Sequence, residues 1–318
     1  MATVSPSVLI VRLDAIGDAL TTVPLVAALR RHGWRVGAVL RPINAAVFSA
    51  AALDRVHVAN GGDIAGEIRE MRYDCALVPT EKPLAYCIAR NAGIPVRVGF
   101  ENGWGKPLKT LWVRRMCTET IFRTAGLDPR APHECEVVFK LAHRLMPEAE
   151  PPRDVAGLRA IVLDREPAAD ERIAIQVTDK WERLGARLQD VVELIQRVAA
   201  HHSVRLIGAQ TESEFCARVS ASAALPVQTF TALEDWKAAI AAARALVAPD
   251  SGASHVAGMT GTRVVTCFGP HDFALQTARW SPWAAPYRIV KIDGLWPLVA
   301  ADALELLLTD SPGRVYRG

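Results

Sequence analysis

No glycine fingerprint of the form G-x-G-x-x-G occurs in the 318 residues, and no Asp-x-Asp pair. The first absence removes the main support for a nicotinamide-dependent dehydrogenase. The second removes a common way of holding a divalent ion against a diphosphate. The six cysteines include no C-x-x-C pair. Several sit in apolar runs such as Cys75-Ala76-Leu77-Val78, so they are expected as reduced, buried thiols of a cytosolic protein rather than as a disulfide framework. The eight histidines show no metal-ligand spacing. Charge of one sign is also lacking. Lys+Arg is 37 against Asp+Glu 34, a net +3, which excludes a protein built to live on nucleic acid. No apolar run approaches the roughly 18 residues of a membrane span. The first one, Val8–Val11, is broken at once by Arg12 and Asp14 and does not read as a signal peptide.

What is present is enough apolar sequence, 50%, for two ordinary domains. Short β-branched runs alternate with amphipathic ones. Strands are expected at Val8–Leu13, Trp34–Leu40, Arg55–Val58, Asp74–Val78 and Val96–Phe100, with helices over Ala19–Arg31, Ala45–Ala52, Ile64–Met71 and Lys82–Ala92. The Pro-rich, charged stretch Pro147–Asp154 reads as a linker. The alternation then restarts. Strands are expected at Arg172–Val177, Val204–Gly208, Pro226–Thr229, Ala245–Ala248 and Val264–Phe268, and helices over Arg187–Ala200, Glu212–Ala223 and Leu233–Ala243. A short helix follows Ser251, and an apolar stretch, Leu295–Leu308, closes the chain. This is an α/β chain of two parallel-sheet halves, divided as 1–152 and 153–318. Ligands of such sheets bind outside the carboxyl ends of the strands, so the strand-to-helix turns carry the functional reading.

The first turn is Asp14-Ala15-Ile16-Gly17-Asp18. Asp18 reads either as a helix N-cap or as a carboxylate aimed into a cleft between the halves as a general base. The late turn is Pro249-Asp250-Ser251-Gly252-Ala253-Ser254-His255. Its small residues at a helix N-terminus suit a phosphate-bearing ligand; the alternative is an ordinary capped helix with a surface His. A second Gly-Pro turn, Gly269-Pro270-His271-Asp272, follows the next strand. Between Lys106 and Arg130 basic residues gather, with Trp104 and Trp112 nearby. They read either as a solvated basic face or as a site for an acidic ligand.

At these turns the chain resembles glycosyltransferase family 9, the heptosyltransferases of bacterial lipopolysaccharide. Leu9–Asp18 is similar to the family's opening strand with its Gly-Asp turn. Asp250-Ser251-Gly252-Ala253-Ser254-His255-Val256-Ala257 is similar to its D-[ST]-G-x-x-H-x-A signature, and Thr262–Asp272 to the segment that follows. Trp280-Ser281-Pro282-Trp283 and His133-Glu134-Cys135-Glu136 are similar to further family stretches. The chain departs from the pattern at Gln176-Val177 and at Asp14-Ala15. The resemblance implies a GT-B fold, two Rossmann-like domains facing a central cleft, with an acceptor-binding first half, a nucleotide-sugar-binding second half and a last helix against the first domain. It implies inverting, metal-independent transfer of a heptose from an ADP-activated donor to a glycan such as lipopolysaccharide core. By this resemblance Asp18 is the catalytic base and Lys180 neutralises leaving phosphate. Glu212, Asp250, Ser251, Gly252, Ala253, Ser254, His255 and Asp272 are expected to hold the donor. Asp14, Lys106, Lys109, Arg114 and Arg115 are expected to face the acceptor. No cofactor or metal is expected, nor any nucleic-acid partner. The expected location is cytoplasmic, with peripheral contact at the inner membrane. The alternative is a two-domain sugar-nucleotide binding protein without transfer activity.

Overall fold

The computed structural model describes residues 5–123 and 132–309. The chain divides into two compact units, Met1–Arg153 and Asp154–Gly318. The first holds strands β1 Ser7–Arg12, β2 Arg35–Leu40, β3 Arg55–Val58, β4 Cys75–Val78, β5 Val96–Glu101 and β6 Glu119–Phe122. The second holds β7 Asp170–Val177, β8 Val204–Ala209, β9 Val227–Phe230, β10 Ala243–Pro249, β11 Arg263–Phe268 and β12 Tyr287–Lys291. All neighbouring strands pair in parallel. The orders are β3-β2-β1-β4-β5-β6 and β12-β11-β10-β7-β8-β9. Counted from its own first strand, each sheet has the Rossmann order, with its switch point between β1 and β4 or between β7 and β10.

The central strands are buried on both faces, as parallel sheets under helices require. Val8, Leu9, Ile10 and Val11 are at most 1% exposed, and Ala245 to Ala248 are fully buried. That is why these segments are continuous apolar runs rather than alternating ones.

Several sequence expectations are corrected. The helix expected over Ala19–Arg31 is two, Ile16–Leu20 and Val23–Arg31. Pro24 supplies no N–H, so the second helix starts afresh. The Thr21 and Thr22 hydroxyls donate to the carbonyls of Asp18 and Ala19 at 2.7 and 2.6 Å in the gap. No helix forms over Ala45–Ala52. A 3-10 turn, Pro42–Asn44, is followed by turns whose Val47, Phe48 and Ala52 are buried. The basic stretch contains a helix, Pro107–Met116, and β6, and β12 appears late in the chain. The buried Trp296, Ala300, Leu304 and Leu307 of the helix Trp296–Thr309 join the second unit's own core. All six cysteines are free, and burial pushes the Cys75 and Cys117 thiols up to about 12. Among the described residues no helix is long and apolar enough to cross a membrane.

One close backbone approach fixes the helix after β10. A Cβ on Gly258 would lie 2.7 Å from Trp283 N and 3.1 Å from Pro282 Cα. Ala favours a helix by up to about 1 kcal/mol over Gly, but backbone atoms cannot step aside. Gly258→Ala is therefore expected to destabilise the protein by about 1–3 kcal/mol. An unchanged denaturation midpoint in urea would contradict that account.

Candidate active site

In the first unit, β1 runs into the turn Leu13–Ala15. Asp18 is not the N-cap. The helix begins earlier, with Ala15 as its cap, and Asp18 is the third helical residue. Its Oδ2 accepts the Ala15 N–H at 3.3 Å, and its Oδ1 accepts from an Arg12 terminal nitrogen at 3.3 Å. Arg12 is 2% exposed at the end of β1. Its Nε donates to the Asp18 carbonyl at 3.1 Å and lies 3.4 Å from Asp14 Oδ2. Burial pushes the Arg12 guanidinium down from its ordinary value, against the opposing pull of Asp18, Asp14 and Glu134. Across the switch point, Lys82 follows β4. Its Nζ donates to Leu13 O at 2.8 Å and lies 3.8 Å from Asp14 Oδ1. Asn44, fully buried, donates to the Asp14 carbonyl at 3.1 Å. Asp14 is thus clamped between two cations at 18% exposure, whereas the Asp18 side chain keeps 34%. Of the two carboxylates, Asp18 is the more exposed.

In the second unit, the equivalent switch point brings Lys180 and Asp250 together. Lys180 opens the short helix Lys180–Arg183 after β7, and its Nζ is 3.6 Å from Asp250 Oδ2 after β10. Trp181 fixes that helix. It is fully buried, donates its indole N–H to Gln176 O at 2.8 Å and stacks on Trp296 at 5.2 Å. Ser251 caps the helix Gly252–Thr260, and its buried hydroxyl finds no hydrogen-bond partner among the described residues. Asp250, Ser251 and Gly252 are partly open, but Ala253, Ser254 and His255 are buried. The Ser254 hydroxyl donates to Pro249 O at 3.0 Å, and the His255 ring meets Trp280 edge-on at 5.9 Å. His255 is therefore not a surface residue: it is 4% exposed. Glu212 follows β8 and accepts from Thr178 Oγ1 at 2.8 Å. Burial raises the Glu212 carboxyl, as does neighbouring Asp179, against the Thr178 bond. Asp272 lies after β11 in the left-handed region, φ +49°, beside His271 at 3.5 Å.

A cation beside a helix N-terminus with an unsatisfied cap hydroxyl, at a Rossmann switch point, is an anion site in its chemistry. Residues 188–300 match the model of glycosyltransferase family 9 (heptosyltransferase). That segment includes Glu212 and the Asp250–His255 turn; Lys180 and the first unit lie outside it. Solved structures extend the likeness to the whole chain. The glycosyl transferase family 9 structure from Veillonella parvula DSM 2008 is 15% identical with TM-score 0.74, covering 98% of this chain and 99% of its own. E. coli ADP-heptose lps heptosyltransferase II is 18% identical with TM-score 0.71, and E. coli heptosyltransferase WaaC with ADP is 20% identical with TM-score 0.71. Each of these covers 95% of this chain and 98% of its own. No curated protein matches the sequence at a significant level. The fold is that of the heptosyltransferase structures: α/β, of the GT-B class, with two Rossmann-like units.

Among the basic residues expected to face an acceptor, most already hold carboxylates of their own unit. Lys106 Nζ lies 3.4 Å from Glu81, and Lys109 pairs with the same group. Burial alone would raise Glu81, but hydrogen bonds from Lys109 and Asn102 and the charges of Lys109 and Arg123 outweigh it and hold the carboxyl down at about 2. Arg114 grips Glu101 through two bonds of 2.6 and 2.7 Å. Arg123 bonds the fully buried Glu134 at 2.6 Å. Arg115 is exposed, with no ion pair among the described residues. Arg130 lies outside the described residues. Sequence reasoning missed Arg12, Lys82, Asn44 and Trp181. The available signal was Arg12 itself, a charge inside a run buried on both sides and two residues from Asp14.

Proposed function

We propose that this chain is an inverting glycosyltransferase. It moves a heptose-type sugar from an ADP-activated donor to a hydroxyl of a glycan acceptor of the lipopolysaccharide-core kind. The observation that carries the reading is the Lys180–Asp250–Ser251 arrangement at the switch point of the unit matched by the heptosyltransferase family. In this reading the donor diphosphate meets the Lys180 ammonium, the Ser251 hydroxyl and the free amides of the helix Gly252–Thr260. Glu212 takes the nucleoside hydroxyls. Asp18 of the first unit accepts the proton of the acceptor hydroxyl. The acceptor oxygen bonds to the anomeric carbon as the bond from that carbon to the phosphate oxygen breaks. The configuration inverts, and ADP leaves with its growing charge neutralised by Lys180 and the helix amides. These groups serve without a metal, so full activity in excess chelator is expected.

The test is a panel of nucleotide sugars in thermal-shift assays. A ligand that binds only the folded state at about a hundred times its Kd adds about 2.7 kcal/mol of stability. ADP-heptose is expected to stabilise the chain most, and Lys180→Gln to weaken that binding at least about tenfold, the worth of a hydrogen bond to a charged group. If no nucleotide sugar stabilises the protein, the reading fails. Donor binding with no turnover of any lipopolysaccharide acceptor would instead mark a binding protein.

A further inference from the structure

The helix Pro107–Met116 is two-sided in an unusual way. Thr110, Val113 and Met116 are buried toward the unit's core, and Trp112 meets the Tyr86 ring edge-on at 5.6 Å. The opposite side and the turn before it leave apolar groups in solvent. Trp104 is 95% exposed, Leu108 84% and Leu111 60%. Leu108 and Leu111, three apart, lie on one face of the helix, and Trp104 stands in the turn that leads into it. Phe122, 58% exposed, lies against Gly103 at the same end: a Cβ on that glycine would meet its ring at 2.8 Å. A surface Leu alone means nothing, but two bare Leu on one helix face with a nearly bare Trp in the turn before it are apolar surface that water does not favour.

The charge around these residues is one-sided. From Trp104 to Arg115 there are four basic residues, Lys106, Lys109, Arg114 and Arg115, and no acidic one. The carboxylates that pair with this segment come from behind it: Glu81 is 32% exposed and Glu101 10%, whereas the Lys106 and Arg114 side chains are 54% and 61% exposed. Bare Leu108 and Leu111 on one helix face, a bare Trp104 in the turn before it and exposed cations alongside are the pattern of a segment that lies in a membrane interface. There the indole sits at headgroup level, the leucines reach the acyl boundary and the cations meet lipid phosphates.

We propose that the turn Gly103–Gly105 and the helix Pro107–Met116 dock this unit onto the surface of an anionic phospholipid bilayer. The proposal stands on these exposed side chains and not on the transfer reading, and its test involves no catalysis. The full chain is sedimented with vesicles of phosphatidylethanolamine and phosphatidylglycerol, and separately with phosphatidylcholine alone. Binding is expected to the anionic vesicles, to weaken as salt screens the charge, and to be poor on phosphatidylcholine. Trp104→Ser combined with Leu108→Ser is expected to lower the binding constant at least about tenfold, since two large apolar side chains no longer leave water. Their exposure means the melting temperature stays unchanged. Lys106→Glu with Arg115→Glu is expected to lower binding to anionic vesicles while leaving phosphatidylcholine binding as it was. A parent protein that stays in the supernatant with anionic vesicles overturns the proposal. So does a Trp104/Leu108 variant that sediments like the parent, or equal binding to both vesicle types.

Discussion

Asp18→Asn is expected to keep the protein folded and its donor affinity intact while the transfer rate falls by about two to four orders of magnitude, the usual contribution of a general base. The substitution suits the question because the structure separates the two things the carboxylate does. As an acceptor, Oδ2 receives the Ala15 N–H at 3.3 Å, and an amide oxygen of the same shape can receive it too. As a base, it must gain a proton, and an amide does not. The electrostatic side effect is bounded. Arg12 loses one partner at 3.3 Å but keeps Asp14 at 3.4 Å and the field of Glu134. The stability change is therefore expected to stay near 1 kcal/mol. Donor titrations, melting curves and single-turnover rates on one preparation distinguish the outcomes. A rate within threefold of the parent removes Asp18 from the chemistry. A melting temperature that collapses together with the rate would mean that the carboxylate is structural.

The strands were legible because parallel strands buried on both faces must be unbroken apolar runs, and Arg55–Val58 and Ile64–Met71 end where the periodicity ends. The order of strands in each sheet was not, since pairing is non-local and the two halves share no close sequence repeat. The helix Pro107–Met116 was hidden because its outward side is basic and apolar at once, which masks the periodicity of Thr110, Val113 and Met116. Among site residues, Lys180 and Asp250 could be placed on turns, but their approach to 3.6 Å depends on β7 and β10 being neighbours. His255 illustrates the opposite limit. Its motif position points to a ligand, while its burial, 4% exposed with the Trp280 ring edge-on at 5.9 Å, is packing that no spacing rule reads. The same holds for Ser254, whose hydroxyl closes onto the backbone of Pro249.

Arg12→Leu is expected to destabilise the first unit by about 3–5 kcal/mol, the cost of breaking a buried ion pair by removing one partner. Leucine fits a strand and fills part of the volume, so hydrophobic burial at the end of β1 is not what fails. What fails is charge balance. Asp14 sits at 18% exposure with an Oδ2 that makes no hydrogen bond and relies on Arg12 Nε at 3.4 Å, with Lys82 3.8 Å away on the other oxygen. Asp18 and its carbonyl lose their Arg12 contacts as well. At about 2–4 °C per kcal/mol for a unit of this size, the melting transition of the first unit should fall by about 6–20 °C. The named partners of Arg12 all belong to the first unit, so the transition of the second should hold. Arg12→Lys separates charge from geometry. An ammonium keeps the cation but cannot reach the Asp18 carbonyl and both carboxylates in the fixed fork of a guanidinium. It should recover much of the stability, while the hold on Asp18, and with it the transfer rate, stays impaired. Calorimetry of both variants decides the matter. A leucine variant melting within 2 °C of the parent would mean that the carboxylates at the end of β1 need no buried cation.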